Sequence, residues 1–243
     1  MRALKAPATT TVVLVHGGWV DASSWREVIP MVSRLGAGVV APQLGLRDFA
    51  EDVAIVSRCL DRAPGSVLLV GHSYGGAVVT ELAGRPNVKG VVYAAAAAPT
   101  DNEPFGVTMS RFQGAYAPDL APDAAGLLWG PRELFAEGLA HDLAPGCVDV
   151  LFATQRPVCA AIFGASSRQS GPLDKPAWYL VSHEDRLLPA RAQETLAKAI
   201  GAEVHGVSAG HLSPLSAPSR LADIISLALL SVAEDKRFNA PQR

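Results

Sequence analysis

The chain has 243 residues, of which 49% are hydrophobic and 18% are charged, and its formal net charge is −2. This length and apolar content can build the core of one α/β domain that carries an insertion. The charges form no basic block, which argues against nucleic acid as a partner. No apolar run approaches the roughly twenty residues of a membrane span, which argues against a membrane partner.

The three cysteines are widely spaced and odd in number. We therefore expect free thiols in a reducing compartment rather than a disulfide framework or a zinc site. Residues 1–7 carry some positive charge but lack the apolar stretch of a signal peptide. Together these features predict a cytoplasmic protein.

Strand-like and helix-like patterns alternate over the first hundred residues. The first strand is a β-branched run typical of a strand buried on both faces, and the first helix has a cap at Ser23 or Ser24 and a stop at Gly36. This βαβ order predicts a mostly parallel central sheet flanked by helices. The predicted elements are strands at 11–15, 38–42, 67–70 and 88–93, and helices at 25–35, 49–60 and 76–83.

The alternation of strand-like and helix-like patterns stops between residues 99 and 176. This stretch holds many prolines, several aromatic residues and short helical patterns at 132–140 and 148–154, which is too much structure for a loop. We interpret it as an inserted helical lid. The predicted division is an α/β core at 1–98 and 177–243 with a cap at 99–176. The returning core elements are strands at 177–182 and 202–207, and helices at 189–200 and 218–232.

The most informative motif is Gly71-His72-Ser73-Tyr74-Gly75, which lies between a predicted strand and a predicted helix. Such a turn is too sharp for side chains two positions either side of its centre, so glycines flank it. The context predicts a nucleophile elbow that presents Ser73 above the sheet, at the positive end of the helix. An ordinary glycine-rich βα turn is the alternative interpretation.

A serine hydroxyl needs a base at neutral pH. His211 lies in the loop after the last predicted strand, and parallel sheets place such loops at the carboxyl edge, beside the elbow. We therefore predict His211 as the base. A surface loop histidine is the alternative.

The base needs an orienting acid, and Asp185 follows the preceding strand, which gives the chain order serine, acid, histidine. Glu184 is the nearest alternative to Asp185 as the acid. Asp101 or Glu103, which follow an earlier strand, could also occupy this role. A solvated Asp185 paired with Arg186 is the competing interpretation.

Attack on a carbonyl needs backbone N–H donors for the oxyanion, which we predict from Tyr74 and from Gly18 in the loop after the first strand. His16 and His72 lie in the turns that shape this pocket, so we predict structural roles for both. The acyl group should contact Trp19 and Tyr74, and also the lid aromatics Trp129 and Phe105.

The remaining histidines lack zinc-binding spacing, and no G-x-G-x-x-G or Walker loop occurs. We therefore predict no metal and no cofactor. These histidines are His141, His183 and His205.

Four segments together resemble the α/β-hydrolase superfamily over nearly the whole chain: His16-Gly17-Gly18, the elbow, the 178–185 strand with its acid loop, and the 210–214 loop. Residues 13–19 with Ser24-Trp25, and residues 153–157, resemble small carboxylesterase-like enzymes and the related plant methylesterases and hydroxynitrile lyases. The resemblance implies the fold, a cofactor-free serine mechanism and a helical cap between the family's sixth and seventh strands.

Two departures narrow the activity that the resemblance implies. Haloalkane dehalogenases carry aspartate at the elbow, where this chain has Ser73. Hydroxynitrile lyases carry a threonine after the first strand and a lysine near the acid, where Gly17, Gly18 and Arg186 stand here.

We therefore expect a serine hydrolase that cleaves a small to medium apolar carboxylic ester through an acyl-enzyme. The expected partner is a small-molecule ester, and a homodimer is left open. The alternatives are a lyase, cyclase or perhydrolase acting on a natural-product intermediate, and a binding protein that kept the pocket.

Overall fold

The computed structural model describes residues 10–99, 104–110, 114, 116, 119–167 and 173–238. Its centre is a six-stranded sheet in the order β2-β1-β3-β4-β7-β8, with every neighbouring pair parallel. The predicted α/β fold class is confirmed. The sheet strands are β1 (Thr10–Val15), β2 (Gly38–Val40), β3 (Ser66–His72), β4 (Val88–Ala94), β7 (Ala177–Ser182) and β8 (Glu203–Val207).

Helices cover both faces of the sheet. Within β1, Val13 and Val15 belong to the cluster formed with α2, α3 and α6, whereas Val12 and Leu14 belong to the cluster formed with α1 and α8. This alternation explains why the strand is apolar at every position. The helices are α1 (Val28–Arg34), α2 (Phe49–Arg62), α3 (Gly75–Leu82), α4 (Phe105–Ser110), α5 (Pro145–Ala153), α6 (Ala190–Ala199), α7 (Ser213–Ser216) and α8 (Pro218–Phe238).

The first helical region differs from its prediction. A 3-10 turn over Ala22–Trp25 precedes α1, and the side chain of Asp21, not that of Ser23 or Ser24, accepts the capping hydrogen bond, from the Ser23 amide. Proline lacks an amide hydrogen, so Pro30 is tolerated in the first turn of a helix but not inside one that begins at residue 25. The α-helix therefore begins only at Val28.

The connection between β4 and β7 carries helical and strand pieces of its own. They are α4, a two-stranded antiparallel pair of β5 (Leu127–Leu128) and β6 (Val158–Cys159), a π-helix over Leu134–Leu139, α5, and a 3-10 turn over Ala160–Gly164. Pro145 in the first turn of α5 explains why this helix begins earlier than predicted. The division of the chain into a core and a lid stays a prediction.

The β4–β7 connection packs on the carboxyl edge of the sheet. Its residues Leu134 and Phe135 form one buried cluster with Val20, which follows β1, and with Leu212, which follows β8. Four loops that carry the predicted functional residues leave the sheet at this edge, after β1, β3, β7 and β8. None of the helices in the described ranges combines the length and apolar character that a membrane span requires.

Candidate active site

The turn after β3 has the backbone of a strained elbow. Ser73 has a φ of 51°, a left-handed conformation that non-glycine residues rarely adopt. A Cβ on Gly71 would lie 2.7 Å from the Val79 side chain, and one on Gly75 would lie 2.3 Å from the Val15 carbonyl oxygen. Only glycine therefore fits two positions before and after Ser73, and the half-buried serine lies two residues before the start of α3.

Three of the predicted residues meet in a hydrogen-bonded relay. The Ser73 hydroxyl lies 2.9 Å from His211 Nε2, and His211 Nδ1 lies 2.7 Å from Asp185 Oδ2. The Asp185 and His211 side chains are 0% and 3% exposed. Because Nδ1 faces a carboxylate it carries the proton, which leaves Nε2 to accept the proton of Ser73.

The Asp185 carboxylate is buried and held by several donors. Oδ1 accepts from the amides of Leu187 and Leu188, both at 2.9 Å. Oδ2 accepts from the Gln193 side chain at 3.0 Å in addition to His211. These bonds compensate the cost of burying the charge and fix the carboxylate against the imidazole.

Two competing interpretations of the acid, a solvated Asp185 paired with Arg186 and Glu184 in its place, do not fit this geometry. Arg186 donates to the carbonyl oxygen of Glu137 rather than pairing with Asp185. Glu184 is exposed and its carboxylate accepts from the Ser208 hydroxyl. Asp101 and Glu103 lie outside the described residues.

Gln193 of α6 was not singled out by the sequence. It is fully buried, and its Oε1 accepts from the Ser182 amide at 3.0 Å while its Nε2 donates to Asp185 and to the Leu188 carbonyl. It therefore links the end of β7 to the acid. The only signal was a polar residue beside Ala192 on the apolar face of a helix, which is too common to indicate a role.

The loop after β1 lies against Ser73. A Cβ on Gly17 would lie 2.7 Å from Ser73 Cβ, so this close approach requires glycine. Gly18 follows in the same loop, and Tyr74 is the capping residue at the N-terminus of α3. The amides of Gly18 and Tyr74 thus belong to the two segments that adjoin Ser73, and their role as oxyanion donors stays a prediction.

His16 shapes this loop as a neutral side chain. Its Nδ1 donates to the Gly17 carbonyl at 2.9 Å, and its Nε2 accepts from the Leu44 amide at 3.0 Å. Burial lowers the pKa of His16 to about 4, although the bond to Gly17 opposes the shift. The imidazole therefore acts as a neutral bridge between backbone segments.

His72 connects the elbow to the loop of the base. Its Nε2 donates to the His211 carbonyl oxygen at 2.8 Å, and the two rings lie 5.0 Å apart. Burial, followed by the proximity of His211, lowers the pKa of His72 to about 3. His72 is therefore a neutral donor that holds the backbone at His211.

A second buried carboxylate supports the elbow from α2. Oδ2 of Asp52 accepts from the Tyr74 hydroxyl at 2.9 Å, and Oδ1 accepts from the amides of Gly45 and Leu46. Asp52 is 0% exposed, and burial raises its pKa although these three bonds oppose the shift. The residue after the nucleophile is thereby tied to the 45–46 loop.

The predicted substrate contacts differ in their surroundings. Trp19 has a φ of 58°, packs partly buried against two core clusters, and donates from its indole to the Leu128 carbonyl at 3.1 Å. Trp129 is 52% exposed and donates to Asp123, so its surroundings do not favour a buried acyl site. The Phe105 side chain lies outside the described part of the structure.

Comparison with known proteins identifies the family. The model of the alpha/beta hydrolase family matches residues 12–224, and the chain belongs to this family. A pyrethroid hydrolase from Sphingobium wenxiniae is 27% identical over 251 aligned residues, which cover 89% of this chain and 86% of the relative. The family predicted from the motifs is thus confirmed.

Solved structures share the fold. The crystal structure of a pyrethroid hydrolase from Sphingobium faniae has a TM-score of 0.77 and 24% identity, with 93% of this chain and 99% of that chain covered. A methylesterase from Arabidopsis has a TM-score of 0.74 and 19% identity, with 90% and 98% covered. These neighbours share the α/β-hydrolase fold of the chain.

Proposed function

We propose that the protein is a serine hydrolase that cleaves small to medium apolar carboxylic esters through an acyl-enzyme. The observation that carries the proposal is the relay from Ser73 through His211 to Asp185. Its two short bonds join residues that are 138 and 26 positions apart. The similarity to a pyrethroid hydrolase, an enzyme named for apolar esters, supports an ester as the substrate.

In the proposed mechanism, Ser73 Oγ attacks the ester carbonyl carbon while His211 Nε2 takes the hydroxyl proton. Asp185 stabilises the imidazolium that forms. The amides of Gly18 and Tyr74 would donate to the oxyanion of the tetrahedral intermediate, where one donor typically contributes about 10²- to 10³-fold in rate.

The first half-reaction ends when His211 returns the proton to the leaving alcohol, which departs and leaves the acyl group on Ser73. A water molecule then gives a proton to His211 and attacks the acyl carbon. The second tetrahedral intermediate collapses, Ser73 recovers its proton, and the carboxylic acid is released. No step in this sequence calls for a metal or a cofactor.

The test is pre-steady-state hydrolysis of p-nitrophenyl acetate and butyrate. When deacylation is slower than acylation, nitrophenolate should appear in a burst no larger than the enzyme concentration. Intact-protein mass spectrometry of the quenched reaction should find one acyl group, which the Ser73→Ala variant should lack. Short acyl chains should be preferred over octanoate and palmitate, because a pocket beneath the predicted lid would have limited volume.

The alternative is a lyase, cyclase or perhydrolase that uses His211 as an acid or base on a bound intermediate. Such an enzyme need not acylate Ser73. A folded protein that neither turns over these esters nor becomes acylated would replace the esterase proposal with this alternative.

A further inference from the structure

The residues on either side of Asp185 and of His211 all bind one short stretch of the β4–β7 connection. This stretch comprises residues 137–142, and we call it the clamp segment. It contains the end of the π-helix and the turn that precedes α5. π-helical turns are rare and occur frequently at functional sites.

On the acid side, the clamp segment holds both neighbours of Asp185. His141 Nε2 donates to the Glu184 carbonyl at 3.0 Å, and the Arg186 guanidinium donates to the Glu137 carbonyl at 3.2 Å. The His141 side chain is 7% exposed.

On the base side, the clamp segment holds both neighbours of His211. The Gly210 amide donates to Asp142 Oδ2 at 2.6 Å, and the Leu212 amide donates to the Leu139 carbonyl at 3.2 Å. A Cβ on Gly210 would lie 2.6 Å from Asp142 Oδ1, so the fit between the two segments leaves no room for a side chain. A carboxylate that accepts from an amide at this distance makes a strong bond.

Within the described residues, the clamp segment makes no hydrogen bond to the side chains of Ser73, Asp185 or His211. It acts on the relay only through the residues on either side of Asp185 and His211. Both loops leave strand ends, and they are joined directly by the bond from the Glu184 amide to the Ala209 carbonyl. The clamp segment adds a third element that fixes both loops at once.

We propose that His141 and Asp142 are positioning residues that set the acid and the base against each other. The inference rests on the proposed function and deepens it, because it assigns to the β4–β7 connection a part in assembling the relay as well as any part in enclosing substrate. Misplacing a reacting group by about 1 Å can cost about 10²-fold in rate, so bonds that hold the two loops should affect the chemical step.

The experiment compares Asp142→Ala with Asp142→Asn, whose amide oxygen can still accept from Gly210. His141→Ala is compared with His141→Gln, whose amide nitrogen can still donate to Glu184. Three quantities are measured: the rate constant for modification of Ser73 by a fluorophosphonate, kcat and KM for p-nitrophenyl acetate, and the downfield proton resonance of His211 Nδ1.

We expect Asp142→Ala to lower the modification rate and kcat by about 10²-fold, with KM within about twofold of the wild-type value. The downfield resonance should weaken or disappear. Asp142→Asn should stay within about threefold of wild type in both rates and keep the resonance, because it retains the bond. In the same way, His141→Ala should lose more of both rates and of the resonance than His141→Gln.

Wild-type rates and an unchanged resonance in Asp142→Ala would overturn the inference, and so would an equal loss in Asp142→Asn. If circular dichroism shows that Asp142→Ala does not fold, the comparison of His141→Ala with His141→Gln tests the inference by the same rates and the same resonance. If the wild-type protein is not modified by the fluorophosphonate, the proposed function fails, whereas the resonance still shows whether Asp142 positions His211.

Discussion

Gly17 and Ser73 are in such close contact that a Cβ on Gly17 would lie 2.7 Å from Ser73 Cβ and 3.2 Å from Ser73 Oγ. Real Cβ atoms do not approach this closely, so any side chain at position 17 must displace the nucleophile. The elbow and the loop after β1 can therefore pack this closely only because residue 17 lacks a Cβ.

Gly17→Ala should lower kcat for p-nitrophenyl butyrate by about 10²-fold or more, because the added methyl group shifts Ser73 relative to His211. Gly18→Ala should be milder, since its Cβ meets only the Val158 side chain at 3.2 Å and its amide is retained. Gly146→Ala, which meets nothing within 4 Å, controls for the general effect of the substitution. Equal activity in Gly17→Ala and Gly146→Ala would contradict the prediction.

The buried acid gives a second prediction. Asp185→Asn should lower kcat by on the order of 10⁴-fold, because an amide in place of the carboxylate favours the wrong tautomer of His211. Glu184→Gln should be mild, since Glu184 is exposed and contacts Ser208. Asp101→Asn and Glu103→Gln should also be mild. Steady-state kinetics give the ranking, thermal melts exclude folding damage, and the reverse order would reassign the acid.

The bond between Tyr74 and Asp52 predicts an effect on stability. Tyr74→Phe removes the hydroxyl that donates to a fully buried carboxylate, which should lower the free energy of unfolding by about 1–3 kcal/mol. Urea denaturation measures this loss. In the double variant with Asp52→Asn the loss should shrink, because the charge that needs the donor is gone. Additive losses would show that the two side chains do not interact.

The two buried histidines predict a loss of stability in acid. Burial lowers the pKa of His16 to about 4 and that of His72 to about 3, whereas an unfolded histidine titrates near pH 6.5. The unfolded chain therefore binds protons that the folded protein cannot, and the stability is present above pH 6.5 and lost as the pH falls. The raised pKa of Asp52 has the opposite effect, because the folded protein binds this proton more readily than the unfolded chain does. It therefore reduces the loss of stability near pH 4.

Between about pH 6 and pH 4, the free energy of unfolding should fall by up to about 1.4 kcal/mol per pH unit for each histidine. Urea titrations at several pH values measure the slope. The His72→Gln variant keeps a donor for the His211 carbonyl. It should reduce the slope of the unfolding free energy against pH by about half. Histidine ring resonances of His16 or His72 that titrate near pH 6.5 in the folded protein would refute this prediction.

The sequence predicted the sheet and the relay because their signals are local and strong. An uninterrupted β-branched run indicates a buried parallel strand, and glycines two residues either side of Ser73 indicate an elbow. His211 and Asp185 followed from their positions after strands, since parallel strands all present their carboxyl ends at one edge. These inferences required only the order of elements along the chain.

The supporting residues could not be predicted in this way. Asp142 and Asp52 act through contacts with residues 68 and 22 positions away, and Gln193 acts through contacts within 11 positions. No spacing rule links any of the three to the relay. The sequence predicts that the last helix ends at 232, whereas α8 extends to Phe238, because the apolar periodicity of the sequence stops at Val232. Trp129 was chosen because it is aromatic, a property that does not distinguish a substrate contact from a surface side chain.

The wide spacing of the relay along the chain also has a kinetic consequence. Ser73 and His211 are 138 residues apart, and the sheet connects β3 to β8 through β4 and β7, whose parallel pairing joins Val91 to Ala177 across the long β4–β7 connection. Such a pairing requires the closure of a large loop, which costs conformational entropy before the native contacts form. This cost slows folding. During refolding from urea, helical circular dichroism should therefore recover before Ser73 regains its reactivity towards a fluorophosphonate.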